Sequence, residues 1–196
     1  PGTLTIVKSE IAQYVTLETT DVEKTYDGTS YTAGTARATD ENGKTVKIEY
    51  QKADGTWTEN PVEITATNVA ESIAVINVRA SVESSYEGYV TGTQKLVINQ
   101  REVTVTGDGW SSDQPYTGSD YTKDTYTFEN VVSGETATIT YSITGTEVGP
   151  YTGTFGDDFK VTKGDVETTA NYKLTEKTPG TLTIVKSEIA QYVTLE

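Results

Sequence analysis

Eighteen residues of this chain occur twice. Pro1 to Glu18 (PGTLTIVKSEIAQYVTLE) return without a change as Pro179 to Glu196, 178 residues downstream. Chance does not produce a match of that length. The chain therefore reads as one full period of a tandem array plus an overlap, and its fold has to be one that repeats along an axis. A fainter repeat lies inside the period. Tyr26-Asp27-Gly28-Thr29-Ser30-Tyr31-Thr32 matches Tyr116-Thr117-Gly118-Ser119-Asp120-Tyr121-Thr122 at an offset of 90. Gly92 to Ile98 lines up with Gly180 to Lys186 at an offset of 88. The period thus divides into two diverged modules, residues 9–100 and 101–186. Residues 1–8 are then the terminal strand of a preceding repeat, and residues 187–196 the first strand of a following one. A lone strand exposes an unpaired edge, so both flanks are expected to pair with something, another copy included.

Apolar residues alternate with polar ones at period two, the signature of half-buried strands. The runs are Leu4-Ile6, Val15-Leu17, Val46-Ile48-Tyr50, Ile76-Val78-Ala80-Val82, Leu96-Ile98, Val103-Val105, Ala137-Ile139-Tyr141-Ile143 and Leu182-Ile184. Asp27-Gly28, Asn42-Gly43 and Asp54-Gly55 supply turns, because these residues tolerate positive φ. Asn42-Gly43 sits between two such runs and Asp54-Gly55 follows the second, which predicts a meander. The best helical stretch, Asn68 to Ser72, is one turn long and reads as a short helical link or a loop. The expected fold is all-β: two small β-sandwich-like, Ig-like modules arranged end to end in an elongated rod, with β-grasp-like modules as the alternative.

Composition removes several functions. With 29 acidic and 15 basic residues the net charge is −14, so phosphate backbones and anionic lipid surfaces are repelled. There is no Cys and no His. Disulfides, thiol chemistry, thiolate metal sites and the usual proton shuttle are therefore missing, and no triad-type hydrolysis can be assembled. Catalysis would need paired carboxylates. Asp40-Glu41 and Asp157-Asp158 are adjacent, but neighbours on a strand point to opposite faces and cannot share one proton. No enzyme activity is expected. No apolar run reaches the roughly 20 residues of a membrane-spanning helix, and a signal peptide is not discernible at the N-terminus.

Four chemistries remain. Calcium is the one cofactor the acidic loops leave open, through Asp108, Asp113, Asp157, Asp158 and Asp165, although their spacing fits no EF-hand. Trp57 and Trp110, with 13 Tyr, offer flat apolar faces with polar edges suited to a glycan or a partner protein, Trp110 reading as the more exposed. A Lys-to-Asn isopeptide crosslink could replace disulfides if a buried acid lay beside the pair. The recurring Tyr26 and Tyr116, each followed by a turn glycine, Gly28 and Gly118, read as packed corners. Leu96, Ile98, Leu182 and Ile184 are the core residues of the modules' last strands.

Lys24-Thr25-Tyr26-Asp27-Gly28-Thr29 resembles the YDG signature of the MBG/YDG-type, Ig-like tandem repeats of bacterial cell-surface proteins and adhesins. Val78-Arg79-Ala80, Tyr86-Glu87-Gly88-Tyr89 and Gly92-Thr93 are similar to the closing strands of such repeats. In the second module Thr106-Gly107-Asp108-Gly109, Val148-Gly149, Asn171-Tyr172 and Pro179 to Ile184 are similar too, with Tyr116-Thr117-Gly118 departing from the signature at the Asp. The resemblance implies a non-catalytic stalk that projects an adhesive region from the cell surface or wall, with neighbouring repeats of the same chain as its partners. It assigns no ligand residues. Two alternatives stand beside it: an adhesive module binding host glycan or protein through exposed aromatics, and a filament subunit with exchanged terminal strands.

Overall fold

The computed structural model describes residues 7–188. The predicted strand at Leu4-Ile6 and most of the stretch 187–196 lie outside the described residues. The protein is all-β: among the described residues every helical segment is a three-residue 3-10 turn, and no helix is long and apolar enough to cross a membrane. One of these turns is Val69–Glu71, capped by Asn68 and Ser72, the helical link of the two expected alternatives. Backbone contacts divide the chain into two compact units, residues 1–99 and 100–196.

The strands of the first unit are β1 (Ser9–Glu10), β2 (Val15–Glu18), β3 (Val22–Thr25), β4 (Tyr31–Thr32), β5 (Arg37–Asp40), β6 (Lys47–Gln51), β7 (Trp57–Thr58), β8 (Thr65–Ala66), β9 (Ile73–Ser81), β10 (Tyr86–Glu87) and β11 (Val90–Asn99). A mixed five-stranded sheet runs β3-β11-β9-β6-β7, and β1-β10, β2-β5 and β4-β8 form two-stranded sheets. Alternation explains the burial: Ile76, Val78 and Ala80 of β9 and Leu96 and Ile98 of β11 turn to one face and are at most 1 % exposed. Each such large aliphatic side chain removed from water contributes about 1.5–3 kcal/mol.

The predicted meander is only half present. Asp54-Gly55 does turn β6 back onto β7, with Gly55 at φ 83°. Across Asn42-Gly43, however, β5 pairs with β2 and β6 with β9. The reason is local. Asp40 Oδ2 accepts the Asn42 and Lys44 amides, at 3.0 and 2.9 Å, so these donors serve a side-chain-closed turn. The chain then crosses from one sheet to the other.

The second unit contains β12 (Arg101–Gly107), β13 (Gln114–Pro115), β14 (Tyr121–Lys123), β15 (Tyr126–Glu129), β16 (Thr136–Thr138), β17 (Tyr141–Gly145), β18 (Gly149–Thr152), β19 (Thr154–Phe155), β20 (Lys160–Lys163), β21 (Val166–Glu167), β22 (Tyr172–Thr178) and β23 (Thr181–Val185). Four three-stranded sheets run β15-β12-β22, β13-β23-β18, β14-β17-β19 and β16-β20-β21. The run expected to be one strand from Ala137 to Ile143 is broken into β16 and β17. At the break the Ile139 amide donates to the Tyr126 hydroxyl and the Thr140 amide to Asp158 Oδ1, so two ladder donors are diverted to side chains.

Candidate functional site

The feature common to both units is the pairing of early strands with last strands in parallel. In the first unit β3 lies parallel to β11, with Val22, Glu23, Lys24 and Thr25 opposite Leu96, Val97, Ile98 and Asn99. The Tyr26 amide extends the ladder to the Asn99 carbonyl at 2.9 Å. In the second unit β13 lies parallel to β23, Gln114 opposite Ile184 and Pro115 opposite Val185, and the Tyr116 amide reaches the Val185 carbonyl at 2.8 Å. β12 is likewise parallel to β22. Tyr26 and Tyr116 thus occupy one structural position, just past the strand that meets the last strand.

Around that position the predicted corner residues take definite places. Tyr26 is 2 % exposed, and Gly28 adopts φ 78°. Asp27 organises the turn, its Oδ1 accepting from the Thr29 amide and hydroxyl and its Oδ2 from the Tyr31 hydroxyl. Tyr116 is half-buried against the second core, and Gly118 adopts φ 77°. Leu96, Ile98, Leu182 and Ile184 are all at most 1 % exposed. The matching strand residues are Leu96 with Leu182 and Ile98 with Ile184, an offset of 86 where the sequence match suggested 88. A slip of two keeps every side chain on its face, which is why the alternation pattern could not reveal it.

Two buried tyrosines that sequence reasoning did not single out hold these strands. Tyr50 (2 % exposed) accepts the Ala36 amide on its hydroxyl at 2.8 Å. Tyr141 (3 %) donates to the Asp108 carbonyl at 2.8 Å and accepts the Gly180 amide at 3.1 Å. They end or interrupt the alternating runs of each module, the only signal that could have marked them. Buried Gln94 bridges the first unit, donating to the Gly34 carbonyl at 2.8 Å and accepting the Thr20 amide at 3.3 Å.

The acidic candidates do not converge. Among the described residues no group of His, Cys, Asp or Glu could hold a metal ion. Asp108 accepts the Thr125 hydroxyl, Asp157 faces Lys177 at 3.3 Å, Asp158 takes the Thr140 amide and hydroxyl, and Asp113 and Asp165 are exposed. A Lys-acid-Asn set does occur: Glu23 accepts from Lys95 Nζ at 2.8 Å and from Asn99 Nδ2 at 2.9 Å. Its carboxylate is half-exposed, and the ion pair pushes the Lys95 amine up and the Glu23 carboxyl down. A crosslink needs a buried acid beside the pair, and this one is half-exposed, so the set is an ion pair across β3 and β11.

The tryptophans differ in setting. Trp110 packs against the second core, edge-on to Tyr121 at 6.0 Å and beneath Lys123 Nζ at 4.6 Å. Trp57 lies on the outer face of the five-stranded sheet. There the Arg79 guanidinium sits 4.0 Å from its ring centre and 4.5 Å from that of exposed Tyr89, with Nε 2.8 Å from Glu49. Trp57, Asn77, Thr91 and Thr93 line an open groove of about 490 Å³.

Several carboxyls are held low by their hydrogen bonds: Asp54 by Thr56, Glu71 by Asn68 and the Thr67 amide, Asp158 by Thr140, and Glu49 by Arg79. Unfolded carboxyls titrate near pH 4, so on acidification the unfolded chain takes up protons first. The stability these groups contribute is complete above about pH 5 and is lost as pH falls through their folded values. Tyr172 behaves oppositely. Burial, with the Glu135 carboxylate 2.9 Å from its hydroxyl, pushes the phenol up to about 12, so its contribution is lost as pH rises from about 10 to about 12. Melting temperature measured against pH at constant salt is expected to be flat near neutrality and to fall on both sides. Tyr172→Phe should remove part of the alkaline fall.

No protein-family model matches the chain, and no curated protein matches it.

Proposed function

We propose that this chain is a load-bearing, non-catalytic segment of a bacterial surface fibre or adhesin stalk, exposed outside the cell and continued by neighbouring repeats of the same kind. One observation carries the reading: β3 and β11 are parallel. The N-terminal end of β3 and the C-terminal end of β11 lie at opposite ends of the pair. Tension applied along the chain therefore slides the strands past each other and strains all their hydrogen bonds together. An antiparallel pair pulled from adjacent ends would open one bond at a time. The MBG/YDG-like motif, the tandem repeat and the acidic, Cys-free composition fit the same role.

Single-molecule pulling tests it, and the absence of native Cys makes introduced thiols unique handles. Handles at Asp21→Cys and Gln100→Cys load the β3–β11 pair in shear. Handles at Ser30→Cys and Gln100→Cys pull on the adjacent ends of the same two strands. The first geometry is expected to need a several-fold higher unfolding force at equal loading rate. Equal forces would refute the load-bearing reading, because forced unfolding tracks the barrier along the pulled direction.

A second reading, binding of a neutral glycan, is favoured by the Trp57 groove, where an aromatic ring, an amide and two threonine hydroxyls converge on an open sheet face. Glycan-array binding that disappears in Trp57→Ala while Trp110→Phe retains it is the expected result for that reading; no signal above background excludes it.

A further inference from the structure

The closing strand of the second unit exists twice in the chain. Pro179 to Lys186 contains β23, and residues 1–8 repeat it letter for letter. We infer that the slot between β13 and β18 accepts residues 1–8 of a second copy of this chain when its own β23 is out of place, so that copies join head to tail. The inference stands apart from the load-bearing reading.

What the slot demands can be read from β23. The strand is held on both sides, antiparallel to β18 through the pairs Gly149 to Ile184 and Thr152 to Thr181, and parallel to β13. Leu182 and Ile184 point inward onto Tyr141 and Ile143, each 1 % exposed. Further bonds run from the Trp110 amide to the Thr181 carbonyl, from the Gly153 amide to the Gly180 carbonyl, from the Tyr116 amide to the Val185 carbonyl, and from the Gly180 amide to the Tyr141 side-chain hydroxyl. Position 180 must be glycine, because a Cβ there would stand 2.4 Å from the Asp108 carbonyl carbon and oxygen.

Residues 1–8 meet each demand, with Gly2 for Gly180, Leu4 for Leu182 and Ile6 for Ile184. The corresponding strand of the first unit does not. By the structural offset, β11 carries buried Gln94 where β23 is preceded by Gly180, so that side chain would meet the Asp108 backbone. The slot therefore selects its own repeated segment over the chain's other closing strand.

Tethering decides which copy wins. A strand held by a short connection has an effective concentration in the millimolar range, so at about 10 μM a second copy's segment is outcompeted about a hundredfold. The unaltered chain is accordingly expected to be monomeric. Disabling β23 should switch the slot to the incoming segment.

The test uses the full chain. Leu182→Asp with Ile184→Asp puts two carboxylates where the core requires apolar side chains. This variant is expected to form a concentration-dependent ladder of oligomers in sedimentation velocity, with Trp110 fluorescence returning to its native value as they form. Adding Leu4→Asp and Ile6→Asp should abolish the ladder, leaving monomers with a non-native Trp110 signal. A synthetic peptide of residues 179–188 should restore that signal in the fourfold variant, and the same peptide with both apolar residues replaced by Asp should not. A ladder that persists in the fourfold variant, a twofold variant that stays monomeric at every concentration, or failure of the unaltered peptide to restore the signal would each overturn the inference.

Discussion

Tyr141→Ala is expected to destabilise the second unit by about 3–5 kcal/mol, the usual cost of deleting a large buried ring. The side chain is wedged between two glycines: a Cβ on Gly107 would come within 2.3 Å of the ring, and one on Gly153 within 2.3 Å of the hydroxyl and 2.6 Å of the ring. It also leans on Phe155, ring centres 4.6 Å apart, and on Ile143, Leu182 and Ile184. Its hydroxyl adds a separate contribution. Tyr141→Phe keeps the ring but strands the Asp108 carbonyl and the Gly180 amide, at a cost of about 1–3 kcal/mol. Urea unfolding followed through Trp110, in a Trp57→Phe background, reports the second unit. The same experiment with Trp57 retained and Trp110→Phe reports the first, whose transition should not move. A shift below about 1 kcal/mol in the second unit, less than a buried ring of this size can cost, would contradict the packing described.

Gly180→Ala should cost about 3 kcal/mol or more, near the upper end for forcing an added methyl into a packed site. The obstacle is backbone. The added carbon would lie 2.4 Å from the Asp108 carbonyl carbon and oxygen and 2.6 Å from the Gly109 nitrogen, and no side chain can rotate to relieve it. Gly43→Ala is the contrasting case: nothing lies within 4 Å of its added carbon, and the penalty is only that of φ 71° in a residue with a Cβ, about 1 kcal/mol. Thermal unfolding of the two variants side by side should therefore show a large loss at position 180 and a small one at position 43. Equal losses would contradict the close approach of the Asp108–Gly109 backbone as the reason for glycine at position 180.

Alternation made strands legible in Ile76 to Ala80 and Leu96 to Ile98, because period-two patterning reflects one buried face. The turn glycines Gly28, Gly43, Gly55 and Gly118 were legible too, since positive φ leaves a chemical signature. Pairing partners were not. Val22 and Leu96 are opposite each other although 74 residues apart, and nothing in either neighbourhood names the other. The break at Ile139 and Thr140 was hidden for a similar reason: its cause, Tyr126 of β15 and Asp158 of the loop between β19 and β20, is distant in sequence. At the candidate sites, the terminal-strand apolars follow from alternation alone. The Arg79 stack on Trp57 and the hydroxyl bridges of Tyr50 and Tyr141 depend on cross-strand neighbours that only the assembled sheet supplies.

Parallel union of an early strand with the last one also constrains how each unit comes into being. Among the described residues β3 pairs only with β11, so a chain emerging N-terminus first must carry that strand unpaired for most of a module's length, while β2 can already meet β5. Closing so distant a contact exacts its loop entropy before any ladder bond repays it, which slows the final step and makes it all-or-none. A unit built this way can form its near pairs early but gains its closing parallel contact only when its last residues arrive.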